Sequence, residues 1–416
     1  MKLPPSARTQ GIEPSPTLAL DARAKAMKAE GRQVVNLAIG EPDFETPEHI
    51  RQAAIKAIKD GFTRYTPSEG ILPLREAMAE KFRVENGLEY PPADIVVTNG
   101  GKHALYNAMQ ALFGPGDEVI VPSPYWVTYP AQILLSGATP VYAPTSPERG
   151  YVLGPEELER AITPRTRGLI LNSPSNPTGM VATRSDILAL GEVLRDRPIW
   201  VISDDIYEKL LYDGEEFANI AMCCPELRDR TIICHSLSKT YSMTGWRIGF
   251  LAAPKEIARI VKDIQSQMTS NPCSIAQKAA LAALTGTQEP LQKMRGVFDR
   301  RRKLVLGLIK KIPGFATTAT PKGAFYVFPD ASGLMGKTLG GTTIASSEDL
   351  ASVLLKECEV ASVPGSAFGQ EGSLRFSYAA SEKEIVNGFE RIANFLAPAE
   401  SPPPSEDKGW LKRAMP

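Results

Sequence analysis

Short apolar runs alternate with longer amphipathic stretches through the middle of the chain. The runs are rich in Val and Ile, and they lie at 94–100, 117–124, 167–174, 200–205, 231–237 and 247–254. Between several of them, segments such as 102–113 and 185–197 have apolar residues at helical spacing. Nearly continuous apolar strands separated by helices are typical of a sheet that is covered on both faces. The pattern therefore predicts an α/β fold with a mostly parallel sheet between helices.

The order of predicted elements changes near residue 288. A long basic amphipathic helix over 291–312 precedes a mixture of strands and helices that is typical of a compact α+β unit, with a surface loop predicted at 336–347. The predicted organisation is an N-terminal segment at 1–48 that packs with the small domain, a large domain at 49–287, a small C-terminal α+β domain at 288–397, and a flexible tail, rich in Pro and charge, at 398–416.

Composition and charge exclude several classes of protein. Hydrophobic residues are 43% of the 416 residues, enough to bury a core, so general disorder is excluded. The 47 basic and 47 acidic residues give no net charge, which removes a global electrostatic argument for a nucleic-acid or membrane partner. Five cysteines without a CxxC spacing and three scattered histidines argue against a disulfide scaffold or a metal site. No run approaches the roughly 18 apolar residues of a membrane helix, so we expect a soluble, cytoplasmic protein.

The segment SLSKTYSMTGWRIGF at 236–250 carries the sharpest candidate chemistry. Lys239 directly follows a predicted buried strand, where desolvation would lower the pKa of its amine and leave a nucleophile able to form a Schiff base. Ser236 and Ser238 flank it and Arg247 follows, so two hydroxyls and a guanidinium could hold a phosphate. The alternative is a lysine whose charged end reaches solvent, as most lysines do.

Polar residues also follow the neighbouring predicted strands. Asp204 closes one strand, with Tyr207 three residues later, and a buried carboxylate there needs a cationic or hydrogen-bond-donating partner. Asp204 could instead be an ordinary helix N-cap. Asn176, in the loop NSPSNPTG, could donate its amide to a ring oxygen, or the loop could be no more than a turn. Because ligands bind at the carboxyl ends of parallel strands, these side chains are candidates for a binding site.

Weaker candidates lie in three further segments. Gly100 and Gly101 lie between a predicted strand and a predicted helix, where backbone N–H groups could approach an anion, although GxGxxG spacing is absent. Trp126 could stack on a flat ring or belong to the core. Arg375 begins an otherwise apolar strand, where its guanidinium would bind a carboxylate ligand or form a structural salt bridge.

Taken together, the motifs and their order resemble one family. LAIGEPDF, YTPSEGILPLREA, NSPSNPTG, SDDIYE, SLSKTYSMTGWRIG and PGSAFG followed by LRFSYA make the chain similar to the class I/II, fold-type I aminotransferases that depend on pyridoxal phosphate (PLP), and within them to the bacterial aspartate aminotransferase branch. The resemblance implies a large domain with a mostly parallel seven-stranded sheet between helices and a smaller α+β domain. It also implies a homodimer with shared active sites.

The resemblance further implies roles for individual residues. Lys239 would be the Schiff-base lysine, with Asp204 facing the pyridine nitrogen and with Tyr207 and Asn176 contacting the ring oxygen. The phosphate would be held by the amides of Gly101 and Lys102 and by Ser236, Ser238 and Arg247, while Trp126 stacks on the ring and Tyr65 reaches the neighbouring subunit's cofactor. The substrate would contact Gly40, Lys102, Trp126, Asn176 and Arg375, the last of which clamps its α-carboxylate.

By the same resemblance, the chain transfers the amino group of aspartate or glutamate to 2-oxoglutarate or oxaloacetate by a ping-pong mechanism. Lys102 holds the position that is associated with the distal carboxylate of such substrates. Relatives that transaminate prephenate carry a basic residue just before the Pro-Ser of the N-terminal segment. Glu13 stands there instead and argues against prephenate, while Ser15 and Thr17 are candidate contacts in a segment that could close over the substrate.

Other functions stay open from the sequence. An aminotransferase of the same family could act on aromatic, branched, alanine-like or prephenate and arogenate substrates, and a PLP-dependent lyase has the same fold. A non-catalytic binding or regulatory protein on this fold is disfavoured, because such a protein should have lost Lys239 or Asp204 and both are present.

Overall fold

The structure is a computed structural model that describes residue 9 and residues 11–397, so the predicted flexible tail at 398–416 lies outside the described residues. The strands are β1 (Val35–Asn36), β2 (Ile95–Thr98), β3 (Glu118–Ser123), β4 (Thr139–Pro144), β5 (Thr166–Asn172), β6 (Trp200–Asp204), β7 (Thr231–Ser236), β8 (Gly249–Ala252), β9 (Tyr326–Val327), β10 (Thr338–Leu339), β11 (Thr342–Thr343), β12 (Val360–Ala361), β13 (Val363–Pro364) and β14 (Leu374–Ser377). The helices are α1 (Pro16–Ala29), α2 (Glu48–Lys59), α3 (Leu72–Lys81), α4 (Gly101–Leu112), α5 (Thr128–Ser136), α6 (Pro155–Ala161), α7 (Arg184–Leu194), α8 (Ile220–Cys223), α9 (Leu237–Thr240), α10 (Lys255–Met268), α11 (Ser274–Thr285), α12 (Glu289–Ile309), α13 (Ser347–Glu357) and α14 (Glu382–Leu396).

A seven-stranded sheet with the order β2-β8-β7-β6-β5-β3-β4 forms the centre of the larger unit. Neighbouring strands from β7 to β4 pair in parallel, whereas β8 is antiparallel to both β7 and β2. Along β2, Ile95 and Val97 pack with α3 and α11, while Val96 packs on the opposite face with α4 and α10. Both faces are therefore buried, which is why these strands are continuous apolar runs in the sequence. The predicted α/β fold with a mostly parallel sheet is confirmed.

Two local predictions are incomplete. β4 does not follow from the apolar pattern because it lies at the edge of the sheet, where Ala143 is its one buried residue. Residues 336–347, predicted as a surface loop, contain the hairpin formed by β10 and β11. Both segments are largely exposed, so their strand structure leaves no hydrophobic signal in the sequence.

The C-terminal part of the chain forms a second core around α12, α13 and α14. There β13, β14 and β9 make an antiparallel sheet. β1 pairs in parallel with β12, so that Val35 lies opposite Val360, and Val35 and Leu37 are buried in this second core. The segment before α2 thus contacts the C-terminal unit. The division into an N-terminal segment at 1–48, a large domain at 49–287, a small domain at 288–397 and a tail at 398–416 stays a prediction.

Two features of other protein classes are absent from the described residues. None of the helices within residues 11–397 is long and apolar enough to cross a membrane. In the same part of the chain, no group of three or more His, Cys, Asp or Glu side chains is arranged to hold a metal ion. All five cysteines are free thiols.

Candidate active site

A cavity of about 510 Å³ lies where the carboxyl ends of the central strands meet the C-terminal unit and the N-terminal segment. Eleven of the thirteen predicted site residues line it: Gly40, Gly101, Lys102, Trp126, Asn176, Asp204, Tyr207, Ser238, Lys239, Arg247 and Arg375. Ser236 and Tyr65 do not line it. The cavity thus brings together residues that are up to 360 positions apart in the sequence (Ser15 and Arg375; 375 − 15 = 360).

Lys239 lies on the one-turn helix α9, which directly follows the buried strand β7. Its Nζ donates a hydrogen bond to the carbonyl oxygen of Gly40 at 2.5 Å. Burial lowers the pKa of the amine from 10.5 to about 8, with nearby cations of the cavity adding to the shift and Glu41 opposing it. The amine is therefore neutral far more often than that of an ordinary lysine, which is the state that a nucleophile or base requires.

Asp204 closes β6 and is buried beside the cavity. Its Oδ2 accepts a hydrogen bond from Tyr129 Oη at 2.7 Å, and its Oδ1 accepts one from the backbone N–H of Ile206 at 3.4 Å. Burial raises the pKa of Asp204 to about 6, although both hydrogen bonds and the charge of Lys239 favour the ionised form. Turns rather than a helix follow β6, so Asp204 is not a helix N-cap. Its hydrogen-bond partners are neutral, which leaves the carboxylate able to face a cation.

Tyr207 and Tyr326 join the two units of the fold at the cavity wall. Their hydroxyl oxygens lie 2.8 Å apart, with Tyr207 on the turn after β6 and Tyr326 on β9. A Cβ at position 40 would lie 2.6 Å from Tyr326 Oη, so the N-terminal segment can pass this close only with glycine there. This close approach explains in steric terms why a glycine occupies position 40 in the predicted site.

The start of α4 and Arg247 form a positively polarised corner of the cavity. Gly100 has φ +90°, and a Cβ on it would lie 2.4 Å from Arg247 Nη2, so a side chain at this position would displace the guanidinium. Arg247 is itself fixed by donation from Nη1 to the carbonyl oxygen of Thr244 at 2.8 Å. Because the first N–H groups of a helix lack partners within the helix, the N-terminus of α4 and the guanidinium together suit an anion.

The two serines that flank Lys239 have different environments. Ser238 lines the cavity, whereas Ser236 is fully buried behind it. Ser236 Oγ donates to the carbonyl oxygen of Ile248 at 2.9 Å and lies 2.8 Å from Ser238 Oγ. In this arrangement Ser236 orients Ser238, and Ser238 is the hydroxyl that can contact a ligand directly.

Arg375 is a buried cation, 2% exposed, on β14. Its Nη1 donates to Asn176 Oδ1 at 2.9 Å and its Nη2 to the carbonyl oxygen of Ala38 at 2.5 Å. The guanidinium lies over the rings of Tyr326 and Phe368, and its Nε is buried without a hydrogen-bond partner among the described residues. The partners found are neutral rather than a carboxylate, so the ligand interpretation of Arg375 is favoured over a structural salt bridge.

Lys102 is a second cation at the cavity, on the first turn of α4. Its Nζ lies 5.0 Å from the centroid of the Trp126 ring, which also lines the cavity. Burial and the neighbouring Arg247 charge lower the pKa of Lys102. The charges of Arg247, Arg375 and Lys102 all lower the pKa of Lys239, so three cations of the cavity act on the same amine.

Comparison with known proteins assigns the chain to a family. A family model described as aminotransferase class I and II matches residues 32–392. The chain belongs to this family. The aspartate/prephenate aminotransferase of Cereibacter sphaeroides is 50% identical over 388 residues, which cover 93% of this chain and 97% of that protein. The aspartate aminotransferase of Geobacillus stearothermophilus is 47% identical and covers 94% of this chain and 98% of its own length.

Solved structures give the same result for this aminotransferase. An aspartate aminotransferase from Rhizobium meliloti superposes with a TM-score of 0.91 at 44% identity, covering 95% of this chain and 99% of that chain. An aspartate aminotransferase from Thermus thermophilus with maleate gives a TM-score of 0.89 at 41% identity, covering 95% and 100%. The predictions of fold-type I architecture and of a transaminating enzyme are confirmed.

Of the other residues that the sequence singles out in the aminotransferase, Tyr65 and Glu13 lie apart from the cavity, whereas Ser15 and Thr17 line it. Tyr65 is 91% exposed, in the segment between α2 and α3. Ser15 and Thr17 line the cavity, and their hydroxyl oxygens lie 3.0 Å apart. Glu13 is exposed and is not part of the cavity wall, whereas Asp21, which the sequence analysis does not name, is. The expected repulsion of prephenate by Glu13 therefore has no support from its position.

Three residues that hold the site are missing from the sequence analysis. Tyr129 binds Asp204, Tyr326 binds Tyr207, and Asn172 Nδ2 donates to the carbonyl oxygen of Asp204 at 2.9 Å. Asn172 begins the motif NSPSNPTG and could have been found there. Tyr129 lies on α5 and Tyr326 in an apolar, buried run that includes β9, where one more aromatic residue has no distinguishing signal.

Proposed function

We propose that this aminotransferase uses PLP and transfers the amino group of aspartate or glutamate to 2-oxoglutarate or oxaloacetate by a ping-pong mechanism. The donor set of the cavity fits the cofactor: it combines an amine of lowered pKa, a corner suited to an anion, and a buried carboxylate without a cationic hydrogen-bond partner. The close approach of Gly100 to Arg247 supports this fit, because a side chain at position 100 would displace the guanidinium that would hold the phosphate.

Most of the residues predicted to hold the cofactor line the cavity. Lys239 would bind it covalently, Arg247, Ser238 and the first N–H groups of α4 would hold its phosphate, and Asp204 would face its ring nitrogen, with Tyr207 and Asn176 at the ring oxygen and Trp126 against the ring. When bound, PLP supplies an electron sink for the electrons of the Cα–H bond of the amino acid.

The chain's own groups orient the substrate and move its proton. The guanidinium of Arg375, which lines the cavity, would bind the α-carboxylate. Lys239 Nζ, with its pKa near 8, takes the proton from Cα as a base and returns it as an acid. Gly40 and Tyr326 limit the space of the cavity where the N-terminal segment forms its wall. The Lys239 amine, which donates to the Gly40 carbonyl oxygen, would therefore stay close to the reacting carbon.

The observation that carries the substrate class is the pair of cations, Arg375 and Lys102, on one cavity. Within residues 11–397, neither of these two cations forms an ion pair with an acidic side chain. The charges of both lower the pKa of the Lys239 amine. Two separated cations suit a dicarboxylic amino acid, with Arg375 on the α-carboxylate and Lys102 on the distal one. The relatives named aspartate aminotransferase support the same class.

Lys102→Ala should lower kcat/KM for aspartate by about 30-fold or more, because a charge-assisted contact of about 2 kcal/mol is lost, and change that for alanine less than about threefold. The measurement is a stopped-flow spectrum of the purified protein mixed with aspartate, glutamate, phenylalanine or alanine. Lys255→Ala, an exposed lysine on α10, is the matched control. Equal losses for aspartate and alanine, or a preference of the unaltered protein for phenylalanine, would contradict the dicarboxylate assignment.

Prephenate is the second acceptor to test. The 50% identical relative from C. sphaeroides is named for both aspartate and prephenate, and Glu13 lies outside the cavity wall. Adding prephenate to the aminated form of the enzyme tests whether prephenate is an acceptor in addition to the smaller oxo acids. If the amino group is transferred, the absorption spectrum of the original cofactor form returns. No return would restrict the acceptors to the smaller oxo acids.

The homodimer with shared sites and the cytoplasmic location also belong to this proposal. An aromatic side chain that is 91% exposed, Tyr65, supports contact with a second copy. Sedimentation at assay concentration tests this, and a monomer with full activity would contradict it. Five free cysteines, four of them buried, support a reducing compartment.

A further inference from the structure

A buried charged cluster lies behind the cavity wall. We define the Glu208 cluster as Lys81, Asn86, Glu208 and His235, all of which are less than 10% exposed in their side chains or as whole residues. The Glu208 carboxylate forms an ion pair with Lys81, and its Oε1 lies 3.1 Å from His235 Nε2. Asn86 completes the cluster, accepting from Lys81 Nζ at 2.8 Å and donating to Glu208 Oε2 at 3.3 Å. None of the four residues lines the cavity.

The cluster is joined to the cavity through the chain itself. Glu208 directly follows Tyr207, which lines the cavity, and both belong to the turn after β6 that begins beyond Asp204. The backbone N–H of Asp205 donates to the carbonyl oxygen of Cys234 at 2.9 Å, and His235 is the next residue of β7. The cluster therefore contacts the turn after β6 on the side away from the cavity. Asp204 and Tyr207, at the start of the same turn, line the cavity.

Net stability does not explain why these charges are kept. Removing two charges from water costs about as much as their attraction returns, and buried ion pairs can often be replaced by apolar residues without loss of stability. Burial alone would raise the pKa of Glu208, yet Lys81 and His235 hold it well below its usual range, so the carboxylate is ionised. What such a pair does provide is a fixed geometry, since each partner is costly to leave unpaired.

We propose that the polar link from Lys81 and Asn86 to Glu208 is a positioning device: it ties the turn of residues 205–208 to the end of α3 and so holds the Asp204 carboxylate and the Tyr207 hydroxyl against the cofactor ring. The inference rests on the proposed function, because these are the two groups assigned to that ring. Lys81 and Glu208 touch neither cofactor nor substrate and act through their neighbours.

The test compares two double variants that both remove the buried charges. In Lys81→Met/Glu208→Leu the link is lost, and we expect kcat to fall about tenfold with KM within about twofold, as a small misplacement of catalytic groups costs rate rather than binding. The pH at which the absorption of bound PLP changes should shift by about half a pH unit or more, because Asp204 and Tyr207 contact the chromophore. Lys81→Met/Glu208→Gln keeps hydrogen bonding to Asn86 and should restore kcat to within about threefold.

A matched control removes an ion pair at the opposite end of the sheet. Arg165→Met/Glu118→Gln alters the start of β3, away from the cavity, and should change neither the absorption titration nor kcat. If kcat and the absorption titration of Lys81→Met/Glu208→Leu equal those of the unaltered protein, the positioning role is wrong while the proposed function stands. If the unaltered protein does not bind PLP, the proposed function itself fails.

A third variant decides the matter if the leucine variant does not fold. Asn86→Ala removes one hydrogen bond each from Lys81 and Glu208 but keeps the ion pair. Asn86→Ala should shift the absorption titration in the same direction as Lys81→Met/Glu208→Leu does, and it should lower kcat about threefold. A thermally destabilised Asn86→Ala protein with an unchanged titration and kcat would overturn the proposal, because the cluster would then serve the fold alone.

Discussion

Lys239→Ala should lower kcat by at least about 10³-fold and abolish the covalent attachment of PLP, because we assign to this amine both the attachment of PLP and the role of the base at Cα. Among the described residues, Lys239 is a lysine on the cavity wall whose pKa is lowered to about 8, and it lies at the end of a buried strand. Borohydride reduction followed by peptide mapping measures the attachment, and single-turnover absorption measures the rate.

The lowered pKa gives the same prediction a pH signature in the unaltered protein. An amine with a pKa near 8 is protonated below that pH and neutral above it, so attachment of PLP to the cofactor-free protein should accelerate with pH and level off above about 8. A rate that keeps rising towards pH 10.5 would indicate an ordinary exposed lysine. Borohydride labelling of Lys239→Ala at another position would likewise contradict the assignment, and Lys255→Ala should behave as the unaltered protein does.

Arg375→Ala should lower kcat/KM about 10²-fold or more for every amino-acid substrate, equivalent to roughly 3 kcal/mol, because all of them share the α-carboxylate that the guanidinium binds. The buried position of Arg375 and its neutral partners, Asn176 and the carbonyl of Ala38, leave this carboxylate as its natural counter-ion. Steady-state kinetics with aspartate and alanine measure the effect.

Arg375→Lys separates charge from geometry. It keeps the positive charge but loses the planar fork, so we expect a loss smaller than that of Arg375→Ala but still about tenfold or more. Thermal unfolding of both variants controls for damage to the Asn176 contact. A lysine variant with the activity of the unaltered protein, or a loss with aspartate but not with alanine, would assign Arg375 a different role.

The sequence predicts the fold where burial leaves a pattern. Six central strands are visible because helices cover both of their faces, as for Ile95, Val96 and Val97, which pack in alternate directions yet are all apolar. β4 and the hairpin of β10 and β11 escape prediction because their side chains are exposed and obey no hydrophobic period. Pairing of β1 with β12, across about 325 positions, has no local signal (360 − 35 = 325).

The candidate site could be predicted as far as its motifs are local. Lys239, Asp204 and Arg247 follow strands or lie in segments whose residue types already suggest their chemistry, and the structure brings them to one cavity. Ser236 could not be judged from the sequence, because its residue type suits a phosphate. Only the fold shows that its hydroxyl donates to the carbonyl oxygen of Ile248 and lies beside the hydroxyl of Ser238. Glu13 shows the converse, an acid that suggests repulsion but lies away from the cavity wall.

By itself the sequence determined the class of fold, the order of its elements and the residue types available for catalysis, because apolar period and strand-end motifs are local properties. Tertiary structure alone decided which of those groups meet: that Tyr129 and Tyr326 hold Asp204 and Tyr207, and that Lys81 reaches Glu208 behind them. The physical reason is that hydrogen bonds and ion pairs act over a few ångströms in space, whereas their partners here lie 75 to 127 positions apart along the chain (Tyr129 to Asp204, 204 − 129 = 75; Lys81 to Glu208, 208 − 81 = 127).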